Sequence, residues 1–344
     1  MSTPPRNRDD LGQLDEKWQH KLRERPIKAD DCYFYHWVDM PDGTVIPGDW
    51  DLRQNWSAYL GHVDFANRRV LEFGSASGFL SLKMESLGAD VVGFDLPRGA
   101  ACDLLPVAGA DPTGMASASA TEHDRLQNSW WYVHQRFNSK TKAVYGNIYD
   151  LPPDLGRFDV SVFASILLHL SNPFAALQQA ARITDSAIII TDMSPLYVKL
   201  LPIGLEHSAL MEFAPEHAGH VDNMVWWDFL PNTCVRMLRL LGFSDIKVCH
   251  HEHMYYYSRN SKPLIGHFYT LVATRPGASL SYRNDSKLDR LPDAGLTELI
   301  SVILEKLEDR ERLARLVRSR SGLLKLFFTV AWKRLLGQPV DPSV

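Results

Sequence analysis

The stretch Val70-Leu-Glu-Phe-Gly-Ser-Ala-Ser-Gly-Phe-Leu-Ser-Leu-Lys-Met-Glu-Ser-Leu-Gly-Ala-Asp-Val-Val-Gly-Phe-Asp95 divides into four pieces. Val70–Phe73 is a short apolar run, broken only by Glu72, as expected of a buried parallel strand. Gly74 to Gly78 reads as a tight turn, Phe79 to Leu87 as an amphipathic helix, and Val91–Phe94 as a second strand ending at Asp95. Glycines let the backbone approach a ligand at a helix N-terminus, and a carboxylate ending the next strand can accept two ribose hydroxyls. The stretch therefore predicts a site for an adenosine-containing cofactor.

The spacing discriminates between cofactors. A nicotinamide or flavin fingerprint places glycine at the first, third and sixth positions so that a pyrophosphate can sit on the helix dipole. Here the third position is Ala76, and the second glycine, Gly78, stands at the fifth. Glu72, two residues before Gly74, would repel a pyrophosphate but suits a cofactor with a cationic amino-acid tail. The pattern Glu72-x-Gly74-x-x-x-Gly78 followed by Asp95 resembles the class I S-adenosylmethionine (SAM) methyltransferases. The resemblance implies an α/β fold: a doubly wound, seven-stranded, Rossmann-like sheet, here with an N-terminal aromatic cap and a C-terminal helical appendage.

Alternating strands and helices beyond Val70 agree with a parallel sheet. Expected strands are Val70–Phe73, Asp90–Phe94, Ala143–Tyr145, Phe158–Phe163, Ala187–Thr191, Asp245–His251 and His267–Thr274. The small-residue piece Ala108–Ala120 is expected to be a surface loop, with helix resuming over Glu122–Phe137. A helix is expected up to Leu241, with Pro231 suited to its first turn and Gly242 to its end. Three regions follow: 1–55, an extension and cap; 56–275, the methyltransferase domain, with 194–224 as an insertion and substrate lid; and 276–344, a linker and an amphipathic helical region. In the cap, Tyr33, Phe34, Tyr35, His36, Trp37, Trp50 and Trp56 flank the turn Pro41-Asp42-Gly43. A short helix fits around Leu11–Arg25.

Further motifs carry the resemblance over about residues 50–275. Val144-Tyr-Gly-Asn-Ile-Tyr-Asp-Leu-Pro152 falls where the family holds adenine. Phe158-Asp-Val-Ser-Val-Phe163, continued by Ala164-Ser-Ile-Leu-Leu-His-Leu-Ser-Asn-Pro173, resembles its fourth motif. Leu241-Gly-Phe243 before a strand, with a last strand over Phe268–Ala273, resembles its closing hairpin, which dehydrogenase folds lack. The resemblance implies that Glu72, Gly74, Ser75 and Gly78 hold the methionine part of SAM and Asp95 the ribose. It places Leu96 against the adenine, Asn147 and Ile148 at its polar edge, and Ala164 and Ser165 as the floor under the sulfonium. Trp50, Leu168-His169 and Trp227 to Asn232 look most like the branch that modifies the wobble uridine of tRNA, whose relatives act on sugars and small molecules. That branch uses a carboxylated cofactor gripped by extra cationic residues. None can be placed here, so ordinary SAM is the expected cofactor.

An oxygen nucleophile must lose its proton, and a base titrating near neutrality serves best. His169, just after strand four, and Asp192, ending strand five, are the candidates; His207, His217 and His220 could enter from the insertion. His251 and His253 share a strand face, but a polar or half-buried edge accounts for them, and no metal is expected. Trp226-Trp227 reads as packing or as a stacking surface, and Phe213–Asp228 as a lid.

Composition sets the remaining bounds. The 344 residues are 45% hydrophobic and 23% charged, as in ordinary globular proteins, and the net charge of −4 argues against a nucleic-acid protein. Four scattered cysteines read as reduced, cytoplasmic residues. The opening Met-Ser-Thr-Pro-Pro-Arg has no apolar run, so no signal peptide is expected, and no segment reaches the roughly 18 apolar residues of a membrane span. From Leu296 to Leu336, leucines and aromatics mix with Arg310, Arg312, Arg315, Arg318, Arg320, Lys325, Lys333 and Arg334. Such a stretch fits packing on the domain, a homodimer contact, an anionic membrane surface or RNA. The expected function is methyl transfer to a hydroxyl of a small molecule or glycan. A tRNA-modifying methyltransferase and a non-catalytic SAM-binding partner protein are the alternatives.

Overall fold

The computed structural model describes residues 26–194, 209–215, 224–256 and 262–290. The helix expected around Leu11–Arg25, the three insertion histidines His207, His217 and His220, and the basic stretch Leu296–Leu336 lie outside these residues.

The cap opens with a hairpin, β1 (Val38–Asp39) and β2 (Val45–Ile46), turned at Gly43, whose φ is +86°. β3 (Trp50–Asp51) and the single turn α1 (Trp56–Tyr59) follow. The alternating series comprises β4 (Arg69–Phe73), α2 (Phe79–Ser86), β5 (Asp90–Asp95), α3 (Pro112–Phe137), β6 (Lys142–Tyr145), β7 (Phe158–Ala164), α4 (Pro173–Ile183) and β8 (Thr184–Met193). Two short strands, β9 (Met211–Phe213) and β10 (Trp227–Phe229), pair antiparallel and lead into α5 (Pro231–Leu240). β11 (Asp245–Tyr255), β12 (Leu264–Thr274) and the short β13 (Asp289–Arg290) complete the order.

The main sheet runs β13-β11-β12-β8-β7-β4-β5-β6, and β3 also pairs with β11. β4 lies parallel to both β5 and β7, and β6 and β8 extend the parallel set on either side. β12 is antiparallel to β8 and to β11. Counted along the chain among the described residues, the seven long strands take the order 3-2-1-4-5-7-6. The sequence reading foresaw the seven; β3 and β13 are two-residue additions at the β11 edge.

Apolar runs at the sheet centre read as continuous because both faces are covered. Leu71, Phe73, Phe163, Ile188 and Ile190 are buried in the core that also holds Ala176 and Leu177 of α4 and Val235 and Leu238 of α5. Val70, Val91, Val160, Val162 and Ile189 share the opposite core with Phe79 of α2 and Trp130 and Val133 of α3. The chain winds outward from β4 to β6, then returns to β7 on the other flank of β4. The crevice at the carboxyl ends of β4 and β7 is the topological switch point, where open α/β sheets bind ligands.

One local feature differs from the expectations, and two add to them. Ala108–Ala120 is not a loop throughout, because α3 begins at Pro112. Asp111 caps it, its side chain accepting from the Thr113 N–H at 3.1 Å, and proline fits the first turn. Small residues cannot build a core, but alanine and serine are adequate helix formers on a face left mostly exposed. β11 continues four residues past His251, and its Tyr255 pairs with Trp50 of the cap, whose ring stacks on it at 4.7 Å. After Thr274 the chain turns back along the domain. Ser281 O accepts from the Asp64 N–H at 2.9 Å, and the Arg283 N–H donates to His62 O at 2.7 Å. Among the described residues no helix is long and apolar enough to cross a membrane.

Candidate functional site

Parallel pairing puts the ends of β4 to β8 on one edge, so the candidates from five strands converge there. Glu72 is buried in β4 and accepts a hydrogen bond from Ser81 Oγ, on the first turn of α2. Burial pushes its carboxyl up to about 7, with Asp95 adding to the rise and the Ser81 bond opposing it. Gly74 follows at φ +68°, its N–H donating to Phe94 O at 3.0 Å, which ties the turn to the end of β5. Ser75 O receives the Gly78 N–H at 2.8 Å, and Gly78, at φ +81°, opens α2 with no side-chain cap. Ala76 is left-handed too, at φ +46°. An alanine in this region carries strain that glycine avoids, and such strain clusters at functional turns.

Gly74 also needs its missing side chain for space. A Cβ there would stand 2.8 Å from Ile166 Cδ1, on the turn after β7. Gly74→Ala is expected to lower stability by about 1–2 kcal/mol through left-handed strain and this collision. A urea titration checks it; an unchanged midpoint would show that the turn is not so constrained.

Asp95 ends β5 with Oδ1 accepting the Leu96 N–H at 2.8 Å. His123, projecting from α3 and 8% exposed, brings Nε2 to 3.2 Å from the same oxygen, near enough for an ion pair but out of line for a hydrogen bond. Burial pushes the imidazole down, yet Asp95 and Cys102 outweigh it and hold His123 up at about 10. Gln127, one turn further along α3, donates to Leu96 O at 2.6 Å. The sequence reading missed both; a histidine and a glutamine four residues apart, on the helix after an acidic strand end, were the available signal.

Gly146 N–H donates to Asp95 O at 2.9 Å and brings the β6 loop alongside. Asn147 is exposed, and its Oδ1 takes the Tyr149 N–H at 2.9 Å. Only its amide nitrogen could face a ligand's acceptor. Ile148 packs against the core. At the end of β7, Ala164 is half-buried, and Ser165 is left-handed at φ +53°. Ser165 N–H donates to Thr191 O at 2.8 Å, and its Oγ lies 2.5 Å from the hydroxyl of Tyr59. Burial pushes that phenol up, so Tyr59 stays neutral. Asp103 ties neighbouring loops together: Tyr149 OH and the Ser171 N–H and Oγ–H donate to its Oδ2, and Trp226 Nε1 donates to its carbonyl at 2.8 Å.

No family model matches the chain. Among curated proteins it is 22% identical over 209 residues to the tRNA U34 carboxymethyltransferase of Pseudomonas fluorescens (strain Pf0-1), a match covering 60% of this chain. The match spans about half the length of that relative (54%). Among solved structures it is similar to the 1,6-didemethyltoxoflavin-N1-methyltransferase of Burkholderia thailandensis, with 15% identity, 64% of this chain and 74% of that one covered, and a TM-score of 0.38. A methyltransferase of Bacillus halodurans C-125, described as putative, gives 13% identity, 64% and 99% coverage, and a TM-score of 0.42. Likenesses this distant add little to the strand order, which is decisive: a dehydrogenase-type sheet lacks the antiparallel strand between strands five and six. The chain carries the class I methyltransferase fold.

Two candidate bases of the methyltransferase fold flank the segment 224–229. His169 Nδ1 lies 2.8 Å from Met224 O. A carbonyl only accepts, so Nδ1 carries the proton and Nε2 is the basic nitrogen. Asp192 is 3% exposed, with Oδ1 accepting the Met193 N–H at 2.8 Å and Oδ2 unpartnered. Burial pushes its carboxyl up to about 8, with Asp228 of β10 adding to the rise and the Met193 bond opposing it. His169 and Asp192 thus approach one segment from two strands. Trp226 and Trp227 anchor it, their backbone N–H and indole N–H donating to Leu168 O and Leu170 O at 2.8 and 3.0 Å.

His251 and His253 are buried 2.9 Å apart, and burial pushes them down to about 3 and about 4. Among the described residues no group of three histidine, cysteine or acidic side chains is arranged to hold a metal.

Proposed function

We propose that this chain is a SAM-dependent methyltransferase that acts on a hydroxyl of a small molecule or glycan. The observation that carries this reading is the placing of Glu72, the uncapped start of α2 and Asp95 on one edge of the switch-point crevice. A carboxylate beside the glycine turn suits an ammonium-bearing tail and opposes a pyrophosphate. When bound there, SAM supplies an electrophilic methyl group on a sulfonium, so the chain's work is alignment and removal of the acceptor's proton.

In this reading Gly74, Ser75 and Gly78 bring backbone close to the methionine part, and Asp95 accepts the ribose hydroxyls. Leu96 covers the adenine, while Asn147 and Ile148 meet its edge. Ala164 and Ser165 form the floor, with Tyr59 locking Ser165 from behind. His169 Nε2, its tautomer set by Met224, takes the hydroxyl proton. Asp228 stands opposite Glu212 of β9, and these two acidic side chains favour a neutral or cationic acceptor over a phosphate backbone.

The distant likeness to a tRNA U34 carboxymethyltransferase supports a second reading, in which tRNA is the acceptor. One experiment separates them. The purified chain is titrated with S-adenosylhomocysteine (SAH) by calorimetry, then given methyl-labelled SAM with pooled small hydroxyl compounds and glycans or with total tRNA. Binding with label in the first pool supports the proposal. Label in tRNA, with binding that weakens steeply as salt rises, moves the assignment to RNA. Absence of SAH binding would sink both.

A further inference from the structure

Trp130 lies on α3 with its indole 4% exposed, and its Nε1–H has no acceptor. A buried indole nitrogen normally finds a partner. Packing explains part of the ring's position: it stacks on His134 at 4.9 Å and meets Trp131 edge-on at 4.8 Å. The nitrogen-bearing edge has a different neighbour. A Cβ on Gly78 would stand 3.0 Å from the indole Cδ1 and 3.3 Å from Nε1, so this edge closes over the residue that opens α2.

That helix end carries no side-chain cap. Ser77, beside it, is engaged by the cap: its Oγ accepts the His36 N–H at 3.0 Å. An uncapped helix start and a buried orphan N–H at one turn are both donors, and together they call for an anion. Glu72 sits on the same face of the sheet, held by Ser81 in the same helical turn. Donors for an anion and an acceptor for a cation on one face of the sheet match a zwitterion, whose two charges share one carbon.

We propose that the Trp130 indole N–H is a further donor to the α-carboxylate of the cofactor's amino-acid tail, beside the glycine turn and Glu72 that the SAM reading above, on which this rests, already gives to that tail. The tail then gives a partner to the orphan indole N–H and to the uncapped start of α2. Gly78 is required because any side chain would block the indole edge. An incoming ammonium also draws Glu72, which burial holds near 7, into its ionised form.

The test uses the full chain and two ligands. SAH carries the amino-acid tail; 5′-methylthioadenosine has the same adenosine and thioether without it. Trp130→Phe keeps the aromatic packing and removes only the N–H. It is expected to weaken SAH binding about tenfold, the size of one hydrogen bond to a charged group, and to leave methylthioadenosine within twofold of the native chain. Equal loss for both ligands, or none for SAH, overturns the proposal. Should Trp130→Phe fold poorly, the native chain gives a second readout: the Trp130 indole proton resonance should move downfield with SAH and stay in place with methylthioadenosine. A native chain that binds neither ligand fails the SAM reading itself, a result seen before any variant is made.

Discussion

Asparagine in place of Asp95 is expected to weaken SAH binding on the order of a hundredfold. A carboxylate at the end of β5 can accept both ribose hydroxyls, each in a charge-assisted bond of about 1.5 kcal/mol or more. Asparagine has one acceptor oxygen, and the Leu96 N–H, which donates to Oδ1 at 2.8 Å, competes for it. Losing two such bonds, about 3 kcal/mol together, corresponds to the hundredfold figure. Unlike Trp130→Phe, this change should weaken methylthioadenosine as much as SAH, because both carry the ribose. Stability gives a separate signature through His123. Its folded value of about 10 lies above its ordinary 6.5, so its contribution is complete below 6.5 and is lost as pH rises through 10. Asp95→Asn removes one of the two groups that hold it up, so the variant should lose stability near neutral pH and converge with the native chain above pH 10. Calorimetry at a temperature where both proteins are folded decides the binding claim. An SAH affinity within threefold of the native value would remove Asp95 from the site.

Asp95 was legible because strand, turn, helix and acid follow each other within one unit, and local chemistry governs each piece. The same holds for Gly74 and Gly78, whose left-handed backbones only glycine adopts without strain. Ala76 and Ser165 adopt that region without being glycine, so no residue type announced them. His123, Gln127 and Trp130 were hidden for another reason. They come near the candidate site only because α3 crosses beside the crevice, and that crossing depends on how α3 packs on the sheet. The start of α3 reads as a loop despite the Asp111-Pro112 cap, because a search for apolar residues passes over the first turns of a helix that bury little. Asn147 was named for its position, but its oxygen is committed to its own turn. The joining of β3 to β11 is a pairing of distant segments, which strand periodicity does not encode.

Asp192→Asn is expected to stabilise the chain at neutral pH, contrary to the usual effect of a core substitution. Its folded carboxyl value of about 8 lies above the ordinary 3.8. Below 3.8 the group is protonated in folded and unfolded chains alike and contributes nothing. Between 3.8 and 8 the unfolded chain releases the proton and the folded chain keeps it, so stability falls as pH rises, by about 1.4 kcal/mol per unit at most. At pH 7 this amounts to a burden on the order of 2–4 kcal/mol, reduced by whatever relaxation the site allows. Asparagine is neutral throughout, keeps the acceptor for the Met193 N–H, and leaves one unpaired polar group where Oδ2 stood. The two proteins should therefore unfold at similar urea concentrations near pH 4 and separate progressively up to pH 8. Parallel profiles would refute the buried-acid description. Glu72, also held up by burial, contributes the same slope to both and cancels from the difference. A destabilising acid beneath a candidate acceptor site is the kind of residue that function retains against stability. The same variant should then transfer methyl groups more slowly while binding SAH unchanged, because Asp192 faces β10 and the acceptor wall rather than the turn that opens α2. Full turnover in a stabilised Asp192→Asn chain would leave His169 as the only candidate base named on that wall.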